Sequence, residues 1–344
     1  MFKGVGMRAA ALRAIGAALS AVLLASCGGG GQVEKYQPSR IISFGDETSM
    51  IVDGSDPTVD LTGVVGVSLQ NGAKYTVNAI KDKAMNAGAT LLDCKLNPIW
   101  NQYLATAYGL VFPQCNPDGF LTTSRIFATK GATVAAVKTQ IDTFLAQPDT
   151  FTSATLVTIL AGQYDVRAQY DLVKAGTITE AQAQANIEQA GTDLATQVNR
   201  VGQAGGKVLI ATIWDVGTTP FGLAEDLASP GRAAFLSLLS SRFNSKLRIG
   251  LINDGKMIGL VLADEVISSA VKNPGVTFVD VQKPACDPVK APLVLQCTTD
   301  TLASTSTVTV TGDTNVWADD LHLSSGAHRA VGSLAVTRAT GNPF

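Results

Sequence analysis

Both histidines of the chain lie close together near its C-terminus, in the segment WADDLHLSSGAH at residues 317–328. Asp319 and His322 have an Asp-x-x-His spacing, which lets a carboxylate hold one imidazole nitrogen and leave the other free. Such a pair is the part of a Ser-His-Asp catalytic triad in which the aspartate orients the histidine, and the histidine acts as a general base. A surface loop with two solvated acids has the same pattern, so the pair alone leaves both interpretations open.

Strands that alternate with helices are predicted to position this segment. Short apolar runs predict four buried strands, at residues 40–44, 154–160, 207–214 and 257–263. Apolar residues at helical spacing predict helices at residues 98–108, 132–145, 233–247 and 325–335, and a longer helix from Thr179 to Gly205. A small β excursion is expected within residues 53–80. The alternation predicts a doubly wound sheet, with chemistry outside the carboxyl ends of its strands.

Four segments, taken in order, resemble the sequence blocks of the SGNH (GDSL-type) ester hydrolases. They are IISFGD at residues 41–46, TKGAT at 129–133, GQYD at 162–165 and the histidine segment at 317–328. The resemblance runs from about residue 40 to the C-terminus. It implies a single three-layer α/β/α domain with a mainly parallel, flavodoxin-like sheet. It also implies hydrolysis of carboxylic esters or O-acyl groups, with no metal and no cofactor.

The same resemblance assigns roles to individual residues. His322 and Asp319 take the places of the catalytic pair, and the N–H of Gly131 that of an oxyanion-hole donor. The family's serine falls on Glu47 and its asparagine on Tyr164. A glutamate near His322 would bind the imidazolium and favour the charged form, which is a poor general base near neutral pH.

Tyr164 has no amide, but its phenol is a candidate replacement donor. Losing one oxyanion-hole donor typically costs about 2.7–4 kcal/mol of transition-state stabilisation. Two functions therefore remain open: an ester hydrolase with Glu47 at the nucleophile position, or an inactive hydrolase-fold protein with a ligand-binding or structural role.

Thr48 and Ser49 follow Glu47 directly and are alternative nucleophiles. Residues one or two apart on a helix do not share a face, so neither would naturally point where position 47 points. The plainer interpretation of both hydroxyls is capping of a helix N-terminus.

The first residues predict export and a lipid anchor. Lys3, Arg8 and Arg13 precede an apolar stretch at residues 14–25, and the segment LLASC with Cys27 closes it. The prediction is a signal peptide at residues 1–26, a lipidated Cys27 with a flexible tether to residue 39, and a hydrolase-like domain at 40–344. The anchor implies attachment to the bacterial envelope at the outer membrane. The expected substrate or ligand is a small acyl ester or an acylated glycan or lipid.

Charge and cysteine content narrow the classes further. The formal net charge is −2 and no clustered basic face is visible, which argues against a nucleic-acid partner. Four cysteines follow Cys27, and an even number in an exported chain favours disulfides over zinc. Proximity favours the pairs Cys94–Cys115 and Cys286–Cys297, although other pairings are possible.

Overall fold

A parallel sheet lies at the centre of the computed structural model, which describes residues 35–52, 72–82, 85, 91–304 and 310–341. The strands within these ranges are β1 (Arg40–Gly45), β2 (Ile51–Val52), β3 (Ala73–Lys74), β4 (Arg125–Ile126), β5 (Thr155–Leu160), β6 (Lys207–Ala211), β7 (Ile258–Val261), β8 (Asp280–Pro284) and β9 (Asn315–Trp317). The central sheet has the order β4-β1-β5-β6-β7, and every neighbouring pair is parallel. Counted within that sheet the order is 2-1-3-4-5, which is the flavodoxin-like arrangement.

Helices cover both faces of this sheet. In the described residues they are α1 (Trp100–Ala107), α2 (Val134–Leu145), α3 (Gln163–Lys174), α4 (Glu180–Gln203), α5 (Pro220–Ala228), α6 (Arg232–Gly250), α7 (Ala263–Lys272) and α8 (Ser325–Gly341). Side chains alternate along a strand, so Ile42 and Phe44 pack against α2 while Ile41 packs on the opposite side. One core lies under α2, α3, α4 and α6, and a second lies under α1, α7 and α8. The predicted three-layer α/β/α fold is confirmed.

The longest helix begins where its sequence predicts. Thr179 Oγ1 accepts a hydrogen bond from the N–H of Gln182, and Gln182 Oε1 accepts one from the N–H of Thr179. This capping box satisfies two N–H groups that the first turn of α4 leaves unpaired. Gly205, with φ of +95°, follows the end of the helix in a conformation that suits glycine.

A smaller third core lies beside the sheet and contains the second of two disulfides. The bonds join Cys94 to Cys115 and Cys286 to Cys297, the pairing that proximity favours. In the same region β2 and β3 pair antiparallel. Residues 53–71, which hold most of the β excursion predicted at 53–80, lie outside the described residues, as do Cys27 and the predicted signal peptide.

Some element boundaries and three helices differ from the sequence prediction. The strand expected at 207–214 ends at Ala211, because Ile213 and Trp214 already belong to the loop that leads to α5. The sequence prediction assigns no helix at the positions of α3, α5 and α7. Within the described ranges, no helix combines the length and apolar character needed to cross a bilayer.

Candidate active site

Glu47 follows β1 in a short 3₁₀ turn at the carboxyl end of the sheet. Gly45 has φ of +132°, and a Cβ there would lie 2.0 Å from the carbonyl oxygen of Leu160 on β5. Glycine therefore lets β1 end close against its neighbour. Asp46 caps the turn, since its Oδ1 accepts a hydrogen bond of 2.9 Å from the N–H of Thr48. The side chain of Glu47 is 1% exposed, so the turn directs a carboxylate into the protein.

Asp319 and His322 lie in the loop between β9 and α8. The His322 ring Nδ1 is 2.7 Å from Asp319 Oδ2 and 2.9 Å from Oδ1. Oδ1 also accepts hydrogen bonds from the N–H groups of Leu321 and His322. These bonds fix the carboxylate, which in turn fixes the ring so that Nε2 points away from Asp319. The structure thus contains the orienting pair that the Asp-x-x-His spacing predicts.

Glu47 joins this pair to the two groups assigned to the oxyanion hole. Its Oε1 lies 3.1 Å from His322 Nε2 and accepts a short hydrogen bond from the Tyr164 phenol. Its Oε2 accepts a hydrogen bond of 2.7 Å from the N–H of Gly131. The predicted meeting of Glu47 and His322 is therefore present. Both expected donors, Gly131 and Tyr164, are engaged by the Glu47 carboxylate itself.

The resulting trio is an imidazolium between two carboxylates. Burial lowers the pKa of His322, but the charges of Asp319 and Glu47 and their hydrogen bonds outweigh it and raise the pKa well above 6.5. Burial raises the pKa of Asp319, yet His322 holds it at about 2. Burial likewise opposes ionisation of Glu47, and the contacts with His322, Tyr164 and Gly131 lower its pKa below the usual value. At neutral pH, the trio is therefore anion, cation, anion.

Two glycines, Gly131 and Gly162, and the first turn of α3 position the two hydrogen-bond donors beside Glu47. Gly131, with φ of +68°, lies in the loop after β4. Gly162, two residues after β5, has φ of +129°, and a Cβ there would lie 2.4 Å from the Phe243 ring. Tyr164 follows in the first turn of α3, which starts directly after Gly162. The parallel sheet therefore delivers Glu47, Gly131 and Tyr164 to one edge from three adjacent strands.

The neighbours of Glu47 use their hydroxyls elsewhere. Thr48 Oγ1 accepts a hydrogen bond of 3.2 Å from Gln163, and Ser49 Oγ accepts one of 3.0 Å from the indole of Trp100. Both residues are buried. The expectation that they cap a helix is wrong, because Asp46 is the cap and the turn is 3₁₀. A displaced nucleophile at Thr48 or Ser49 stays a prediction.

Tyr75 is a site residue that the sequence did not single out. Its ring centroid lies 5.5 Å from that of His322, with an interplanar angle of 35°. Tyr75 follows β3, and no motif connects that strand to the C-terminal loop. His328, by contrast, is buried away from the acids, and its Nδ1 accepts a hydrogen bond from the N–H of Trp100. Burial lowers the pKa of His328 to about 3, so it is neutral.

The flavodoxin-like sheet with a carboxylate–histidine pair at its carboxyl edge defines a hydrolase-type α/β/α fold. The family model described as GDSL-like lipase/acylhydrolase matches residues 93–335, and the chain belongs to this family. The family expected from the four sequence blocks is thereby confirmed. The family's chemistry is hydrolysis of acyl esters. No curated protein sequence matches the chain significantly.

The solved structures that match this chain are distant in sequence. An α/β hydrolase enzyme, LAE5, from the metagenome of Lake Arreo in Spain is 14% identical, with 89% of this chain and 96% of that chain covered and a TM-score of 0.42. The acetylxylan esterase Axe2 from Geobacillus stearothermophilus is 11% identical, with 89% and 96% covered and a TM-score of 0.44. Phospholipase A1 from Streptomyces albidoflavus NA297 is 14% identical, with 88% and 99% covered and a TM-score of 0.39.

Proposed function

We propose that this protein is an exported, lipid-anchored member of the family that binds an acyl ester, or an acylated glycan or lipid, without forming a serine acyl-enzyme. One observation carries the proposal. The carboxylate of Glu47 accepts hydrogen bonds from Gly131 and Tyr164 and pairs with His322. In this arrangement a carboxylate fills the position that an acyl oxyanion would need. The attachment at Cys27 and the outer-membrane location belong to the same proposal.

The contacts of Glu47 also raise the free-energy barrier to catalysis of the serine type. A hydrogen bond to a charged group contributes about 1.5–3 kcal/mol, and Glu47 has three such partners. A substrate carbonyl would have to displace them to reach the donors. His322, held as a cation, has no free lone pair with which to accept a proton from a hydroxyl. Both effects lower the rate of acyl transfer.

Replacing the carboxylate by a hydroxyl tests the proposal. Glu47→Ser frees both donors and lowers the pKa of His322, so we expect measurable hydrolysis of short p-nitrophenyl esters and labelling by a fluorophosphonate probe. The wild-type protein without residues 1–27 should do neither. Glu47→Ser combined with His322→Ala is the matched control and should lose the gained activity. Fluorophosphonate labelling of the wild type at Thr48 or Ser49 would overturn the proposal.

The preserved Asp319–His322 pair supports a second candidate, ester hydrolysis that uses Glu47. In this scheme Glu47 takes a proton from water, the hydroxide attacks the ester carbonyl, and the imidazolium of His322 protonates the departing alkoxide. The products are a carboxylic acid and an alcohol, and the proton on Glu47 then passes to the neutral His322, which restores both charged groups. Hydrolysis by the wild type that is lost in both His322→Ala and Glu47→Gln would favour this candidate. Equal rates in wild type and His322→Ala would remove it.

A further inference from the structure

Arg167 lies one helical turn after Tyr164 on α3. Residues at i and i+3 are neighbours on a helix surface. The Tyr164 phenol reaches Glu47, so this side of α3 is the one that faces the site. Arg167 is half-buried, which leaves part of its side chain accessible. Arg167 therefore lies on the side of α3 that carries Tyr164.

Contacts with α5 and the histidine loop support the same placement. The guanidinium carbon of Arg167 lies 4.4 Å from the ring centroid of Phe221. The N–H of Phe221 donates a hydrogen bond of 2.9 Å to the carbonyl of Asp320, the residue next to Asp319. The charge of Arg167 also acts on the Asp320 carboxyl, lowering a pKa that burial raises. Helix α3, helix α5 and the histidine loop therefore meet around the Arg167 guanidinium.

Among the residues that the structure describes, Arg167 donates no hydrogen bond and forms no ion pair within 4.0 Å. Arg232 and Arg248, on the neighbouring helix α6, each pair with a carboxylate. A guanidinium stacked on an aromatic ring keeps its planar edge of N–H groups free for a ligand.

We propose that Arg167 binds an anionic group, a carboxylate or a phosphate, on the acyl ester that the site binds. The fork of N–H groups matches both anions in bidentate geometry. Glu47, Asp319 and Asp320 would repel such a ligand, and Arg167 supplies the opposite charge. The inference rests on the proposed ligand-binding function and names the class of ligand that the site accepts.

Two matched pairs of esters test the inference. Monomethyl glutarate is compared with neutral methyl valerate, and 1-hexanoyl-glycerol 3-phosphate with neutral 1-monohexanoylglycerol. Binding is followed by the imidazole NMR signals of His322, since the chain contains only one other histidine. We expect at least one anionic ester to bind about tenfold or more tightly than its neutral partner, and the pair with the larger preference identifies the anion.

Variants of Arg167 separate the proposed role from a general charge effect. Arg167→Gln should remove the preference for the anionic ester, and Arg167→Lys should keep only part of it because lysine lacks the fork. Lys174→Gln, which removes a charge further along α3, should keep the preference. Equal binding of anionic and neutral esters by the wild type would overturn the inference and leave the binding function standing. If no ester shifts His322, the proposed function fails as well.

Discussion

At the scale of single residues, the site is organised by the charge of Glu47. A serine at this position would present one hydroxyl to His322, whereas the glutamate presents an anion with three partners. The carboxylate stabilises the imidazolium and is stabilised by it, so the pKa of each group moves in the direction that keeps both charged. This mutual stabilisation should be visible in the pH dependence of folding.

Glu47→Gln should lower the free energy of unfolding by about 1.5–3 kcal/mol, the contribution of a hydrogen bond to a charged group. Because the pKa of Glu47 is lower in the folded protein than its ordinary value of 4.5, the ionised carboxylate stabilises the fold above about pH 4.5. This stabilisation is lost as the pH falls through the pKa of the folded state. The raised pKa of His322 contributes stability below 6.5, and this share is lost as the pH rises through the folded value.

The difference between wild type and Glu47→Gln should therefore be largest between about pH 4.5 and 6.5. Burial and the charge of Glu47 raise the pKa of Asp46 to about 7, so the variant also relieves a repulsion above that pH. Above that pH, the relief reduces the difference in unfolding free energy between the wild type and Glu47→Gln. Urea denaturation across the pH range measures it. A difference that does not change with pH would contradict the charged trio.

At the scale of elements, the site depends on how β5 passes into α3. Gly162 takes φ of +129° and packs against the Phe243 ring of α6. This turn sets where α3 begins and therefore where the Tyr164 phenol lies. The sequence block GQYD was assigned to this place by resemblance, but the helix that follows was not predicted. The motif marks its start, while its length depends on packing of Val166 and Tyr170 in the core.

Gly162→Ala should lower the free energy of unfolding by more than 2 kcal/mol, since the added methyl meets both an unfavourable φ and an aromatic ring. Gly176→Ala is the matched control. Gly176 also has positive φ, at +69°, but a Cβ there has no atom within 4 Å. The control should lose only about 1 kcal/mol. Equal losses in the two variants would show that the contact with Phe243 does not constrain the turn.

The elements that the sequence predicted are those with a local signal. The buried strand at β1, the start of α4 at Thr179 and the Asp-x-x-His pair all depend on residues that are close in the chain. Tyr75 and Arg167 depend on contacts across the fold, with His322 and Phe221 respectively. Local sequence patterns do not reveal these contacts. The i,i+3 spacing alone would have indicated that Arg167 shares a helix face with Tyr164.

At the scale of the whole molecule, two disulfides secure the loops outside the sheet. Cys94–Cys115 closes a sequence separation of 21 and Cys286–Cys297 one of 11. The carbonyl groups of Cys94 and Leu96 also accept hydrogen bonds from the ammonium of Lys74. Lys74 is 1% exposed, and burial lowers its pKa to about 7. The first disulfide therefore holds the loop that satisfies a buried lysine.

Removing either disulfide by a double alanine substitution should lower the free energy of unfolding by about 3 kcal/mol, as expected for loops of this size. The loss should be greater for Cys94→Ala/Cys115→Ala, because the loosened loop also leaves the Lys74 ammonium without fixed acceptors. Urea denaturation of the two double variants compares them directly. A larger loss for the Cys286–Cys297 pair would contradict this account of Lys74.

Histidine NMR tests whether Glu47 and His322 form a charged pair. The chain has two histidines, so a titration of labelled imidazoles resolves both. We expect His322 to stay protonated well above pH 6.5 and His328 to stay neutral down to about pH 3. Glu47→Gln should lower the pKa of His322 and leave His328 unchanged. A His322 pKa near 6.5 that Glu47→Gln does not alter would show that Glu47 and His322 do not form a charged pair.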